Sequence, residues 1–388
     1  MLVYLDNSST TKQYDKVTAK MLYFMEEAFG NPSSLHGMGL TAENAVKEAR
    51  KNVAKALGFS ADEIYFTSGG TEADNLALFG AASARKRRGK KIITTSVEHP
   101  AVLESCKALS DMGFEVVYTG VDNKCRLNLD ELRANIDGGT ILISAMHVNN
   151  EVGTIMPTAE INKAKIENAL FHTDAVQSFC KIPADAMKAD IVTVSSHKIH
   201  GPKGCGAIAI GKGVNIIPRT FGGGQEKNIR PGTENVAAIA GFGEAVITAS
   251  GKLTARAQKM DTARSYLLNG IKAEIKDIKV NSVEETSIAG ESGFCSPSVL
   301  NISFLGTRGE VILHGLESEN IYVSTGAACS SNKKGKNYTL AAMGLSEKEA
   351  EGALRFSFCE FNSVEEMDFV LYRLKEQIAG FRKTGNLR

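Results

Sequence analysis

The chain has 388 residues, 43% of them hydrophobic and 23% charged, with a formal net charge of +1. That balance gives no global field favouring nucleic acid or an anionic membrane, and no apolar run approaches the ~20 residues of a membrane span. Seven cysteines, an odd number with no C-x-x-C pair, speak against a disulfide framework and a standard zinc site. Met1–Thr11 shows no basic stretch leading into an apolar core, so a reducing cytoplasm is the expected setting.

In chain order, Val3-Tyr4-Leu5 is short and extended, and helical patterning follows over Lys16–Glu27. Gly30–Ser34 is a loop in which Ser33 or Ser34 is expected to cap the amphipathic helix Thr41–Leu57. Strand-like and helical runs then alternate. The expected strands are 64–67, 91–94, 114–118, 140–145, 170–172, 191–194 and 205–210. The helices between them are expected at 71–87, 100–112, 129–136 and 158–168. This alternation predicts an α/β fold with a mostly parallel seven-stranded sheet covered by helices. Its ligands are expected at the edge where the strands end. After the loop Gly222–Asn235 a long helix is expected from Val236, broken near Gly251. A second, smaller α+β unit follows. The expected division is 13–255 for a large cofactor-binding domain, and 1–12 with 256–388 for the small one.

Several stretches carry chemistry. Lys198 lies in Ser195-Ser196-His197-Lys198-Ile199-His200-Gly201-Pro202, just past a β-branched run. A lysine there can present a desolvated amine to a carbonyl, or simply be solvated. Phe66–Asp74 reads as strand, glycine turn and helix start, which is either an anion site or an ordinary capped turn. Asp174 and Gln177 follow a strand one step before the lysine. Acid, lysine and anion cup at one sheet edge are what pyridoxal phosphate requires: a partner for the ring nitrogen, an amine for the aldehyde, a cradle for the phosphate. His99 and Asn150 follow two further strands, where a ring-stacking or hydrogen-bonding role competes with that of a plain loop residue. Arg355, in a late strand, is either an ion-pair residue or a clamp for a substrate carboxylate. Cys329 sits in a small, polar, lysine-containing loop, where it is either a reactive thiolate favoured by the lysines or an incidental surface thiol, whereas Cys180, Cys205 and Cys359 lie in strand-like apolar runs and read as core.

With these motifs assembled, the chain resembles the NifS/IscS-like cysteine desulfurases, fold-type I pyridoxal-phosphate enzymes of the class V aminotransferase superfamily. The likeness runs nearly end to end, through Gly30-Asn31-Pro32, Thr67–Glu72, Glu98-His99, Met146–Glu151, His172–Gln177, the lysine stretch, Arg230–Thr233, the Cys329 loop and Arg355-Phe356-Ser357. The resemblance implies that Lys198 holds the cofactor as a Schiff base and moves protons. It implies that Asp174 pairs with the ring nitrogen, Gln177 with the phenolic oxygen, and His99 with the ring face. Gly70, Thr71, Ser195, Ser196, His197 and a partner subunit's copy of Thr233 would complete the cofactor site, and Asn150 also borders it. Arg355, Asn150 and Asn31 would bind the carboxylate of L-cysteine. Cys329 would take the sulfur as a persulfide, release alanine, and pass the sulfur to an acceptor or Fe–S scaffold protein. A transient cluster ligand role for Cys329 is the one metal function implied.

Three departures stand out. Ser196 replaces a usual glycine and is a place to expect strain, Cys359-Glu360 replaces a common Gly-Arg, and the Cys329 loop carries Lys333, Lys334 and Lys336. The competing readings are a selenocysteine lyase or class V aminotransferase on the same fold, and a non-enzymatic pyridoxal-phosphate-binding redox sensor.

Overall fold

The computed structural model describes residues 1–184, 187–325 and 337–385. Strand β1 (Val3–Tyr4) leads to helices α1 (Asp15–Glu26) and α2 (Gly37–Leu57). Helix α2 begins four residues earlier than the pattern suggests, and neither Ser33 nor Ser34 caps it. Its cap is His36, whose Nδ1 accepts the Gly39 amide at 3.3 Å. The Ser34 carbonyl lies against the first turn, 2.1 Å from where a Cβ on Gly39 would be, so only glycine fits there.

The alternating core follows. Its elements are β2 (Ile64–Thr67), α3 (Gly70–Arg85), β3 (Lys91–Thr95), α4 (Pro100–Asp111), β4 (Glu115–Thr119), α5 (Leu129–Asn135) and β5 (Thr140–Ser144). It continues with α6 (Thr158–Ala164), β6 (Leu170–Asp174), β7 (Ile191–Ser195) and β8 (Gly206–Ile210). Among the described residues these strands form one seven-stranded sheet in the order β2-β8-β7-β6-β5-β3-β4. Pairs from β7 to β4 are parallel, and β8 runs antiparallel to both β7 and β2. Two reversals leave β2 pointing the same way as β7, so the turn after β2 opens at the edge where β6 and β7 end. All residues of β5, β6, β7 and β8 are buried, as a sheet covered on both faces requires. One face packs on α2 and on α7 (Val236–Ser250), through Phe66, Phe179, Val194 and Phe242. The other packs on α3 and α4 through Leu78, Val102 and Ile208.

Helix α6 stops at Ala164 rather than near Asn168, because Lys165 turns extended and pairs with Asp190, which also accepts the Phe171 amide at 2.8 Å. The long helix breaks at Gly251 as expected, and α8 runs from Leu253 to Glu274. The remaining elements are β9 (Ile278–Val280), β10 (Val299–Phe304), α9 (Gly309–Ser318), β11 (Ile321–Tyr322), α10 (Tyr338–Ala342), α11 (Glu347–Glu351), β12 (Ala353–Ser357) and α12 (Val364–Gly385). Short β9 and α10 have no clear sequence signal. A three-stranded antiparallel sheet, β12-β10-β9, packs with β1, β11, α8 and α12 around Leu5, Ile302, Phe304, Phe356 and Leu374. Because β1 pairs with β11, the first residues of the chain belong to this second core.

Candidate active site

A cavity of about 250 Å³ opens at the edge where β5, β6 and β7 end. Gly70, Thr71, His99, Asn150, Asp174, Gln177, Ser195, His197 and Lys198 all line it, so most of the residues singled out in the sequence meet there. Lys198 closes a one-turn 3₁₀ segment, 196–198, directly after β7. Its amine donates to the carbonyl of Ser8 and, at 2.8 Å, to that of Ser9. Thr11 ties the same segment down from the side, through two bonds to the His197 carbonyl at 3.1 and 2.9 Å. The polar run after β1 therefore frames the lysine, which no local pattern in either stretch announces.

Asp174 ends β6 and is 7% exposed. One of its oxygens accepts the Val176 amide at 2.8 Å. Burial raises its pKa, while His99, the Val176 amide and Lys198 pull it back down. Two further buried acids stand behind it. Asp74, on α3, also lines the cavity; burial and then Asp174 push its pKa well up. Glu98 is fully buried and pushed up to about 8, mainly by burial. His172 lies 3.5 Å from Asp74 but is no cation, since burial lowers it to about 3. It bridges Ser144 and Thr193 at 2.9 and 3.0 Å as a neutral ring. Of the three acids only Asp174 is drawn back down by neighbouring basic groups, His99 and Lys198, which makes it the carboxylate suited to a protonated ring nitrogen.

His99 caps α4, with Nδ1 accepting the Ala101 amide at 3.1 Å. The neutral ring then carries its proton on Nε2. Burial lowers the pKa of His99, Asp174 opposes that, and Lys198 adds to it. His197 is lowered to about 4, first by burial and then by Lys198, Lys203 and Lys181. At the anion cup a Cβ on Gly70 would lie 2.9 Å from the Val176 side chain, so the turn needs glycine there. The Ser195 hydroxyl, on the cavity wall, is buried with no hydrogen-bond partner among the described residues, and so is the Asn150 Oδ1 atom.

Arg355, in β12, is held by carboxylates on both sides: Glu151 at 2.8 Å and Asp6 at 3.0 Å. It also bonds the Ser9 hydroxyl at 2.8 Å and the Asn150 carbonyl at 3.1 Å. Arg355 and three further expected residues do not line this cavity. Ser196 points the other way, its hydroxyl 2.1 Å from where a Cβ on Gly201 would be, and its backbone is unstrained. The left-handed residue of the stretch is His200, at φ 65°. Asn31 lies in its loop, accepting the Ser33 amide at 2.9 Å. Thr233 lines a separate cavity of about 280 Å³ beside Gly204 and Arg230. Cys329 lies outside the described residues. The other six cysteines are buried and unbridged, although Cys180 sits in a left-handed turn rather than a strand. Burial pushes Cys106, Cys180 and Cys205 up to about 12 and Cys359 to about 11, which makes them inert thiols. Sequence reasoning did not find Ser8, Ser9, Asp74 or Glu98. Asp74 and Glu98 sit inside motifs it had marked, but their burial needed the fold.

The family described as Aminotransferase class-V matches residues 3–370. The cysteine desulfurase IscS of Methanosarcina thermophila is 42% identical over 388 residues, covering 99% of this chain and 94% of that protein. A solved NifS-like protein superposes with a TM-score of 0.90 at 39% identity, covering 98% of this chain and all of its own. A structure described as SspA in complex with cysteine superposes with a TM-score of 0.77 at 32% identity, covering 92% of this chain and 98% of that one. Enzymes of this family depend on pyridoxal phosphate. With the mostly parallel sheet, the lysine at its edge and this likeness along the full length, the chain belongs to the class V aminotransferase family, among its NifS/IscS-like cysteine desulfurases.

Proposed function

We propose that the chain converts L-cysteine to L-alanine, holds the sulfur as a persulfide on Cys329, and passes it to an acceptor protein for Fe–S cluster or thio-cofactor synthesis. The observation that carries this reading is the Lys198 amine, fixed by two backbone carbonyls, on a cavity shared with Asp174. The residues present fit pyridoxal phosphate. The glycine cradle at 70 and the orphaned Ser195 hydroxyl suit its phosphate, and Asp174 suits its ring nitrogen. Bound there, it supplies an electron sink for charge at the substrate Cα.

The chain's own groups do the rest. Lys198 binds the cofactor's aldehyde and moves the Cα proton. Neutral His99 covers the ring and offers Nε2 as proton donor. Gln177 donates to the phenolic oxygen, and Thr71 and His197 to the phosphate, with Thr233 reaching across from a second copy. Arg355 takes the substrate carboxylate with Asn150, in exchange for part of its bonding to Glu151 and Asp6. Cys329 attacks the substrate sulfur as a thiolate. The C–S bond breaks, an S–S bond forms, and the Cβ keeps the electron pair and takes a proton, giving the methyl group of alanine. The chain acts as a homodimer, and exposed Leu22, Met25, Phe29, Leu35 and Phe221 are the apolar residues available for a second copy to cover. We also read the chain as two units divided near residues 12 and 255, and as a cytoplasmic protein.

The decisive test is intact-protein mass spectrometry after exposure to cysteine. One added sulfur, mapped to Cys329 and absent in Cys329→Ala, is expected. Sulfide release by Cys329→Ala at the parental rate would sink the nucleophile assignment. Conversion of the cofactor to its amine form by cysteine, reversed by a keto acid, would make the chain an aminotransferase instead.

A further inference from the structure

Lys181 is a charged residue for which the proposed reaction has no use. It lies in the segment after β6, is 4% exposed, and its Nζ donates to Gln177 Oε1 at 3.2 Å. Across the same amide, Gln177 Nε2 donates to the Ser8 carbonyl at 2.9 Å. That carbonyl also accepts from Lys198. Buried Lys181 and half-buried Lys198 are therefore joined through one side-chain amide and one backbone oxygen.

An ammonium is only a donor, so the amide atom facing a protonated Lys181 is the oxygen. The nitrogen then faces Ser8 and the cavity, which Gln177 lines. The Ser8 carbonyl, an acceptor only, favours the same orientation, so Lys181 is the second of two restraints on the amide, and without it the Gln177 oxygen loses its donor. A buried ammonium is costly, and a hydrocarbon side chain of similar length would fill this place more cheaply. Its surroundings are mixed. Burial lowers the Lys181 amine to about 7, with Lys198 and Arg256 adding to that, and Cys359 and Glu360 opposing it. Lys198 in turn faces Asp174, His99 and His197.

We propose that Lys181 is a positioning residue: together with the Ser8 carbonyl it locks the Gln177 amide with its N–H groups toward Ser8 and the cavity. The cofactor atom bound at this wall must then be an acceptor, an anionic oxygen. This rests on the reading of Gln177 as a cofactor contact. A second consequence is electrostatic, because an ammonium at 181 disfavours a proton on the Lys198 nitrogen.

The test is a double-mutant cycle in the full-length chain: Lys181→Met, Gln177→Leu and the pair. It is read as pyridoxal-phosphate affinity of the apo-protein and as the pH midpoint of the bound cofactor's visible absorbance. Lys181→Met is expected to weaken affinity about 10-fold, the scale of one buried hydrogen bond, and to move the midpoint upward. The affinity loss should vanish in the Gln177→Leu background. An equal loss in both backgrounds, or none in either, overturns the proposal. If Gln177→Leu alone changes neither readout while Lys198→Ala removes the absorbance, the Gln177 contact itself is wrong. If Gln177→Leu acts and Lys181→Met is silent, only the role of Lys181 falls. Circular dichroism checks folding. Should Lys181→Met unfold, Lys181→Gln, which no longer dictates the amide's orientation, replaces it in the same cycle with the same expected loss.

Discussion

At the scale of single residues, the cavity is defined by groups whose charge the fold has altered. Glu98 is the clearest. Its Oε1 accepts from Thr95 and Met146 at 2.6 and 2.9 Å, while its Oε2 is buried without a partner among the described residues. Its folded pKa, about 8, lies above the ordinary carboxylate value, so the native state binds the extra proton between the two. Stability then falls as pH rises through that window. Glu98→Gln keeps both accepted bonds and removes the titration. Thermal unfolding of the apo-protein from pH 5 to 9 should show the parent losing on the order of a few kcal/mol that the variant keeps. Parallel curves for the two proteins would refute the buried proton. At the same scale, Lys198→Ala should abolish borohydride-trapped cofactor, measured by intact mass. The motif around Glu98 was legible in the sequence, because an acid and a histidine at a strand end mark a site. Its protonation was not, because that depends on Asp174 and on burial supplied by other strands.

At the scale of elements, the turn after β12 does unexpected work. Glu360 binds Arg256 of α8 through two bonds, at 2.8 and 3.1 Å, contacts His200 at 3.4 Å, and accepts from Tyr14. Arg256 also caps the Cys180 carbonyl at 2.7 Å. One carboxylate thus pins α8, the start of α1 and the residue two places after Lys198. The sequence marks Cys359-Glu360 only as a departure from relatives. Its partners lie at positions 14, 200 and 256, and no local period links them. Glu360→Gln should cost about 3 kcal/mol in urea unfolding, because it leaves Arg256 buried with a neutral partner. Arg256 and His200 hold the native carboxyl well below the usual range. Its contribution is therefore present above the unfolded carboxylate pKa and is lost as pH falls through and below it. The parent's advantage over Glu360→Gln should shrink from pH 6 to pH 3, and a constant difference would count against the pairing. Elements with strong periodicity, such as β2, β7 and α4, were legible almost to the residue. The start of α2 and the end of α6 were not, since Ser34 and Asp190 set them from outside.

At the scale of the whole molecule, the sheet was readable from alternation alone, down to the edge at which ligands gather. The joining of the chain's two ends was not. Asn7 bonds the Ser357 carbonyl at 2.8 Å, and the Ser8 amide bonds the Ser357 hydroxyl at 2.8 Å. Thr233 belongs to this scale as well, because its proposed role needs a second copy. Mixed dimers of Lys198→Ala and Thr233→Ala chains should contain one complete site, built from the intact lysine of one chain and the intact threonine of the other. Turnover per mixed dimer near half that of the parent is expected, with cofactor affinity at that site restored. Affinity that stays at the Thr233→Ala level would show that the threonine acts within its own chain.

The pairing of residues 7 and 8 with residue 357 also bears on how the protein is made. A ribosome exposes the Ser8 and Ser9 carbonyls first, Lys198 about midway, and β12 almost last. The polar run that frames Lys198 gains its bonds to Ser357 only when translation is nearly finished. A stalled nascent chain carrying residues 1–300 therefore has the lysine, the acids and the glycine cradle but lacks the segment that fixes their lid of carbonyls. A chain stopped before β12 is expected to hold pyridoxal phosphate more weakly than the 388-residue chain, as equilibrium binding would show.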